Sequence, residues 1–289
     1  MIQVNTNFAL HNHFRPAEQV RNMLANYPLA DEPGYIGGWI AMHRHAHEAY
    51  LEMVPQLLDR FPEHTIVVRP HPSENHAPWR ELAQRHPRLH VDASGNVHEW
   101  ILASEAVIHF NCTTAVEAFF LGVPAIAYRP GRYPRYENPL PYALSENTFS
   151  LDELWEALNG RATARERGVL WTDAQHHEAR RYITGLEGRS ASERIANALS
   201  DLTDSPPTTS APASQRLMVA AKRFWRGGVH AWRERHTPPD GYSTQKFPGI
   251  TSSEVRSDLA RMMAVTGLHA KFQIRPFSRN CHWLLPEER

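Results

Sequence analysis

Between residues 65 and 130 short β-branched or apolar runs alternate with amphipathic stretches, and this alternation limits the fold more than any other feature of the sequence. The run Thr65-Ile66-Val67-Val68 has the character of a strand buried on both faces, because branched side chains suit a pleated surface and neither face tolerates charge. After it come a helical period at 78–85, a short strand at 89–91, a helix at 97–103 and a strand at 106–110. A helix at 114–121, ended by Gly122, then gives way to a strand at 124–128. Strands and helices in this succession join as parallel strands through right-handed crossovers. The expected fold class is α/β, a Rossmann-like doubly wound parallel sheet, followed by a helical C-terminal tail.

The flanks extend the pattern. Residues 2–10 read as a strand that turns polar at Asn5-Thr6-Asn7, and 17–24 as a short helix. Gly37-Gly38 is expected to open a long helix whose apolar face carries Tyr50, Met53, Val54, Leu57 and Leu58, stopped at Phe61-Pro62. Ser150 with Glu153 caps a helix at 150–158, and 178–202 supplies one or two closing helices. A domain at 1–202, a Pro- and Ser-rich linker at 203–215 and a mostly helical extension at 216–289 follow from the change in composition. In that extension Thr251 and Glu254 form a capping box for a helix reaching 263.

Residues 216–236 set Leu217, Phe224, Trp225 and Trp232 beside Arg216, Lys222, Arg223, Arg226, Arg233 and Arg235. Such a basic amphipathic stretch either lies on an anionic membrane or packs on a partner protein. The Gly227-Gly228 break favours packing.

A chain of 289 residues has ample length for a buried core, and its 31 basic and 31 acidic residues set up no overall field toward nucleic acid, so no nucleic-acid partner is expected. Cys112 and Cys281 are too few for a disulfide framework and fit a reducing compartment. The opening residues lack the basic start and apolar run of a signal peptide, and no stretch spans a bilayer; a cytoplasmic location is the expectation, with a position peripheral to the inner face of the plasma membrane as the alternative that the basic stretch leaves open. Among 18 histidines, His43 and His47 share a helix face, but no carboxylate or cysteine nearby completes a metal set, so no metal is expected and the pair reads as a solvated face.

Two polar clusters sit where strands end. Prolines 70 and 72 fix the backbone on both sides of His71, and an imidazole held there can donate to a phosphate or stabilise one as it departs. Beside it stand Pro72 and Ser73. Asn111, Thr113 and Thr114 precede a helix whose free N–H groups and dipole favour an anion. Glu117 either completes a capping box with Thr114 or reaches ribose hydroxyls from one turn further in.

The segments Arg69-Pro70-His71-Pro72-Ser73-Glu74 and Asn111-Cys112-Thr113-Thr114-Ala115-Val116-Glu117-Ala118, with Leu121-Gly122-Val123-Pro124 after them, resemble the C-terminal half of GT-B glycosyltransferases that build bacterial surface polysaccharides. The opening Asn5-Thr6-Asn7-Phe8-Ala9-Leu10 is similar to surface carbohydrate biosynthesis proteins, relatives of capsule Kdo transferases. The resemblance implies that 1–202 is a nucleotide-sugar-binding domain. It also implies that His71 with Pro72, and Thr113 with Thr114, hold the phosphate of a CMP-linked donor, with His71 catalytic. The co-substrate would be a nucleotide sugar, the acceptor a glycan or lipid-linked glycan, with no further cofactor. A CDP-glycerol-type polyol-phosphate transferase, a nucleotide-sugar epimerase and a non-catalytic nucleotide-sugar-binding module are the alternatives. Only about two β-α units precede His71, so the acceptor domain of a GT-B enzyme is expected to be missing from this chain.

Overall fold

The computed structural model describes residues 1–204 apart from 14, 28, 167–170, 186 and 187, isolated positions between 214 and 225, and 247–287 apart from 268 and 279. It divides into two compact units, Met1–Arg216 and Leu217–Arg289. The expected linker at 203–215 and basic stretch at 216–236 lie for the most part outside the described residues.

In the first unit six strands, β1 (Ile2–Thr6), β2 (Ile66–Pro70), β3 (Leu89–Val91), β4 (Ala106–His109), β5 (Ala125–Tyr128) and β6 (Glu146–Thr148), form one sheet. Every pairing is parallel and the order is β3-β2-β1-β4-β5-β6. The chain is therefore an α/β protein with a Rossmann-like doubly wound sheet. Its order reverses between β1 and β4, so the connections after these two strands leave toward opposite sides and open a crevice at their carboxyl ends.

The described residues of this unit form nine helices, α1 (Ala17–Leu24), α2 (Tyr35–Arg60), α3 (Ala77–Arg85), α4 (Val97–Leu102), α5 (Thr114–Phe120), α6 (Pro139–Ala143), α7 (Leu151–Glu166), α8 (Asp173–Tyr182) and α9 (Ala191–Asp204), the last of them exposed over 191–201. Alternation along each strand divides the core. Ile2, Val4, Ile66, Val68, Ile108 and Ile126 pack on α2, α3 and α7, while Val107 and Ala125 meet Ile101, Ala115 and Ala118 of α4 and α5 on the other face. Gln3 and Asn5 are buried in β1, the Gln3 amide donating to Asn5 Oδ1 at 2.7 Å and accepting from the Ser104 hydroxyl at 3.2 Å.

Several boundaries depart from expectation for local reasons. Helix α2 begins at Tyr35, with left-handed Gly34 at its N-cap, so Gly37-Gly38 lie inside its first turns. A Cβ at Gly38 would meet the Tyr136 hydroxyl, so a larger residue there would have to displace that side chain. Ser150 does cap α7, accepting from Glu153 N at 3.2 Å, and the helix continues to Glu166. The 178–202 region resolves into α8, which starts earlier at Asp173, and α9.

Arg88 ties the end of α2 to the sheet. Its Nη1 donates to the carbonyls of Phe61 and His64 at 3.0 and 2.9 Å, and Nη2 donates to Leu58 O at 2.5 Å. These are last-turn and post-helix carbonyls that no intrahelical N–H reaches. Arg88→Ala is expected to cost about 2 kcal/mol in urea unfolding, because the guanidinium is half-buried and water replaces only some of its bonds. Arg88→Lys recovers less than half of that loss, since one ammonium does not span three acceptors.

The second unit is not purely helical. Helix α10 (Ser252–Thr266) is capped as the sequence predicts, both halves of the Thr251/Glu254 box being formed. Beyond it an antiparallel hairpin, β7 (Phe272–Ser278) and β8 (Cys281–Pro286), corrects the expectation of a helical tail. Pro276 and the irregular register between Pro276 and Ser278 break the alternation that marks a strand. Among the described residues no helix is long and apolar enough to cross a membrane.

Candidate functional site

Strand β1 pairs with both β2 and β4, so the loops that follow β2 and β4 leave the same edge of the sheet, one on each side of the end of β1. With strands spaced ~4.8 Å apart, the two loops start about 10 Å from each other. The His71-Pro72-Ser73 and Asn111–Thr114 clusters therefore border one crevice, at the reversal of strand order.

On the β2 side, His71 N donates to Thr6 O at 3.1 Å and so extends the β1–β2 ladder by one step. The imidazole Nδ1 of His71 accepts from Ser73 N at 3.1 Å. That bond fixes the ring against its own loop and assigns the proton of the neutral ring to Nε2. His71, Pro72 and Ser73 are all half-buried.

Glu74 closes this loop onto the first one. Fully buried, it accepts from Phe8 N at 2.6 Å, from the Thr6 hydroxyl at 2.8 Å and from Trp79 Nε1 at 2.8 Å. Burial pushes its carboxyl up to about 7, against the pull of these three donors. Phe8 O in turn accepts from His11 N and Asn12 N, and Asn12 and Asn75 exchange hydrogen bonds across the loops. Glu74 thus sets the shape of the β1 side of the crevice.

On the β4 side, His109 plays the matching part. Its Nδ1 accepts from Cys112 N at 3.4 Å and its Nε2 donates to the Ser145 hydroxyl at 2.8 Å, which donates onward to Pro141 O at 2.7 Å. Burial without a charged partner lowers this histidine to about 3, so it is a neutral positioning group for the Asn111–Thr114 turn. Asn111 adopts the left-handed conformation, φ 49°. Its amide donates to Tyr136 O at 3.0 Å while its Oδ1 accepts from Asn138 N at 2.6 Å, so the side chain anchors the loop after β5.

Thr113 occupies the N-cap position of α5, exposed and with no side-chain cap bond. Thr114 is buried, its hydroxyl 3.1 Å from Cys112 Sγ. No capping box forms between Thr114 and Glu117, because helical backbone begins at Thr113, one residue too early for that geometry. Instead the Glu117 carboxylate lies 3.6 Å from His98 Nε2 of α4, and its Oε2 is shielded from water without a hydrogen bond. Burial raises the Cys112 thiol, bonds to Thr114 restrain it, and the carboxylates of Glu117 and Glu74 raise it further.

The His43/His47 pair is not a solvated face. Both rings are buried, His47 between Phe8 at 5.4 Å and Trp79 at 5.5 Å, and both are lowered to about 4 by desolvation and by nearby His11. Among the described residues no group of three or more His, Cys, Asp or Glu is arranged to hold a metal ion. The sequence places Glu74 at the end of the His71 segment but does not reveal its bracing role, and His109 does not stand out at all, since Thr6 and Phe8 for the one and Ser145 for the other are distant along the chain. Compared with known proteins, the chain matches no protein-family model, and no curated protein matches it.

Proposed function

We propose that residues 1–202 form the donor-binding domain of a GT-B glycosyltransferase that transfers a sugar from a nucleotide, most simply a CMP-activated one, in surface polysaccharide biosynthesis. The observation that carries this reading is the common sheet edge of the two clusters, flanking β1 where the strand order reverses. A nucleotide phosphate lying across that edge meets His71 on one side and the Thr113 hydroxyl with the α5 turn on the other. Pro72 and Ser73 shape the first wall. Asn111 contributes by holding the second wall in its left-handed turn.

As the sugar–phosphate bond breaks, charge collects on the departing phosphate. Preorganised donors aimed at that charge lower the barrier, and the protonated Nε2 of His71 is such a donor. With no capping box formed at the start of α5, the ribose contact is the reading kept for Glu117, whose Oε2 lies beside His98 of α4. A glycan or lipid-linked glycan is the acceptor, and the reaction belongs to the cytoplasmic side of the membrane.

Calorimetry with CMP, CDP and UDP tests the site. His71→Ala and Thr113→Ala are each expected to weaken CMP binding roughly tenfold or more, the usual effect of removing a hydrogen bond to a charged group. Unchanged affinity in both variants would sink the assignment. Preference for CDP together with release of a polyol phosphate would favour the polyol-phosphate transferase instead.

A further inference from the structure

The described part of the second unit has an apolar surface that its own helix leaves uncovered. In the hairpin, Phe272, Ile274 and His282 lie on one face and are half-buried, and His282 Nε2 is 3.1 Å from the Ser252 hydroxyl of α10, so that face turns toward the helix. Paired register puts Gln273 opposite Leu285 and Arg275 opposite Trp283 on the other face, and Phe277 joins them with its ring 5.3 Å from that of Trp283. Every one of these residues is exposed, Phe277 to 63%, Trp283 to 48% and Leu285 to 37%, and none of them is acidic. Together the three apolar side chains offer on the order of 300 Å², well below the ~800 Å² per partner that a stable protein interface buries.

Charge selects the occupant. By sequence the unit Leu217–Arg289 has twelve lysines and arginines against six acidic residues, whereas Met1–Arg216 has nineteen against twenty-five. The neutral total of the chain therefore conceals a strongly polarised pair of units. A small aromatic and aliphatic patch with a cation in its midst, carried on a cationic unit, has the chemistry of a bilayer interface. Trp and Phe rings settle at headgroup depth, arginine extends to the phosphates, and the remaining charge adds long-range attraction. We infer that the Phe277–Trp283–Leu285 face of the hairpin docks this chain on an anionic lipid bilayer, independently of whether the first unit binds a nucleotide.

Co-sedimentation of the full chain with phosphatidylcholine vesicles, with and without roughly a third of phosphatidylglycerol, tests this. Expected is binding to the anionic vesicles that weakens at high salt and is absent on phosphatidylcholine alone. The double variant Trp283→Ser, Leu285→Ser is expected to bind roughly tenfold more weakly while its thermal melt is unchanged, since both side chains are exposed. A chain that stays in the supernatant, or a correctly folded double variant that binds as well as the unmodified chain, overturns the inference. So does a contact sensitive to the same substitutions but made to single-stranded RNA or to a second copy of the chain rather than to vesicles.

Discussion

Lowering the pH from 6.5 to 4.5 is expected to remove about 5 kcal/mol of stability from the Rossmann-like unit, enough to unfold a domain of ordinary stability. Three buried histidines cause this. His43, His47 and His109 fall to about 4, about 4 and about 3 in the folded chain from 6.5 when unfolded, so through this window each binds a proton only in the unfolded state. A depressed base contributes stability above its unfolded value and loses it as the pH drops, by ~1.4 kcal/mol per unit per proton. Glu74 acts in the opposite sense. Its folded value of about 7 exceeds the unfolded 4.5, so the folded state holds one more proton over the same range and gains stability as the pH falls. The net difference is two protons, or a slope of about 2.7 kcal/mol per unit near pH 5. Urea melts at half-unit steps of pH measure it. His47→Phe, which keeps an aromatic ring between Phe8 and Trp79, is expected to reduce the slope by about half; an unaltered slope would exclude His47 as a contributor.

What the sequence makes legible is whatever a local pattern enforces. Central strands buried on both faces have to be written as runs such as Ile66-Val67-Val68 or Ala106-Val107-Ile108, and such runs are visible without a structure. The same holds for helix caps, where Thr251 and Glu254 are three residues apart and their reciprocal bonds are local. Edge strand β6, Glu146-Asn147-Thr148, has no apolar run because one side of it faces no neighbour, and it is invisible for that reason. Gly37-Gly38 suggests a helix start, yet what Gly38 makes room for is the Tyr136 hydroxyl, nearly a hundred residues away.

The candidate site divides in the same way. Its chemistry, His71 and the two threonines, is readable because prolines and a strand end mark it. Its architecture is not, because Glu74 and His109 work through groups elsewhere in the chain: Thr6, Phe8 and Trp79 for the first, Cys112 and Ser145 for the second. Both are buried, and each fixes one wall of the crevice. Shape here depends on polar groups that never need to meet a ligand.

Glu74→Ala is the substitution expected to damage the fold most, by about 3–5 kcal/mol near pH 7. Alanine leaves the Phe8 N–H and the Trp79 Nε1–H buried with no acceptor, and only the Thr6 hydroxyl is free to turn elsewhere. Glu74→Gln keeps the volume and one acceptor but turns an NH₂ toward a donor, for a loss of about 1–2 kcal/mol. Because glutamine does not titrate, it also removes the proton that offsets the histidines. Its acid slope near pH 5 should therefore be steeper than that of the unmodified chain by ~1.4 kcal/mol per unit. Chemical denaturation of the three proteins at pH 7.5 and across pH 4.5–6.5 checks both statements, and a Glu74→Ala chain as stable as its parent would show that this carboxyl does not brace the crevice. Local loosening is the further consequence. Once Phe8 N is released, the turn that His11 and Asn12 close over Phe8 O loses its tie to the His71 loop, and amide exchange at residues 8–12 and 71–75 is expected to accelerate ahead of the β4 side.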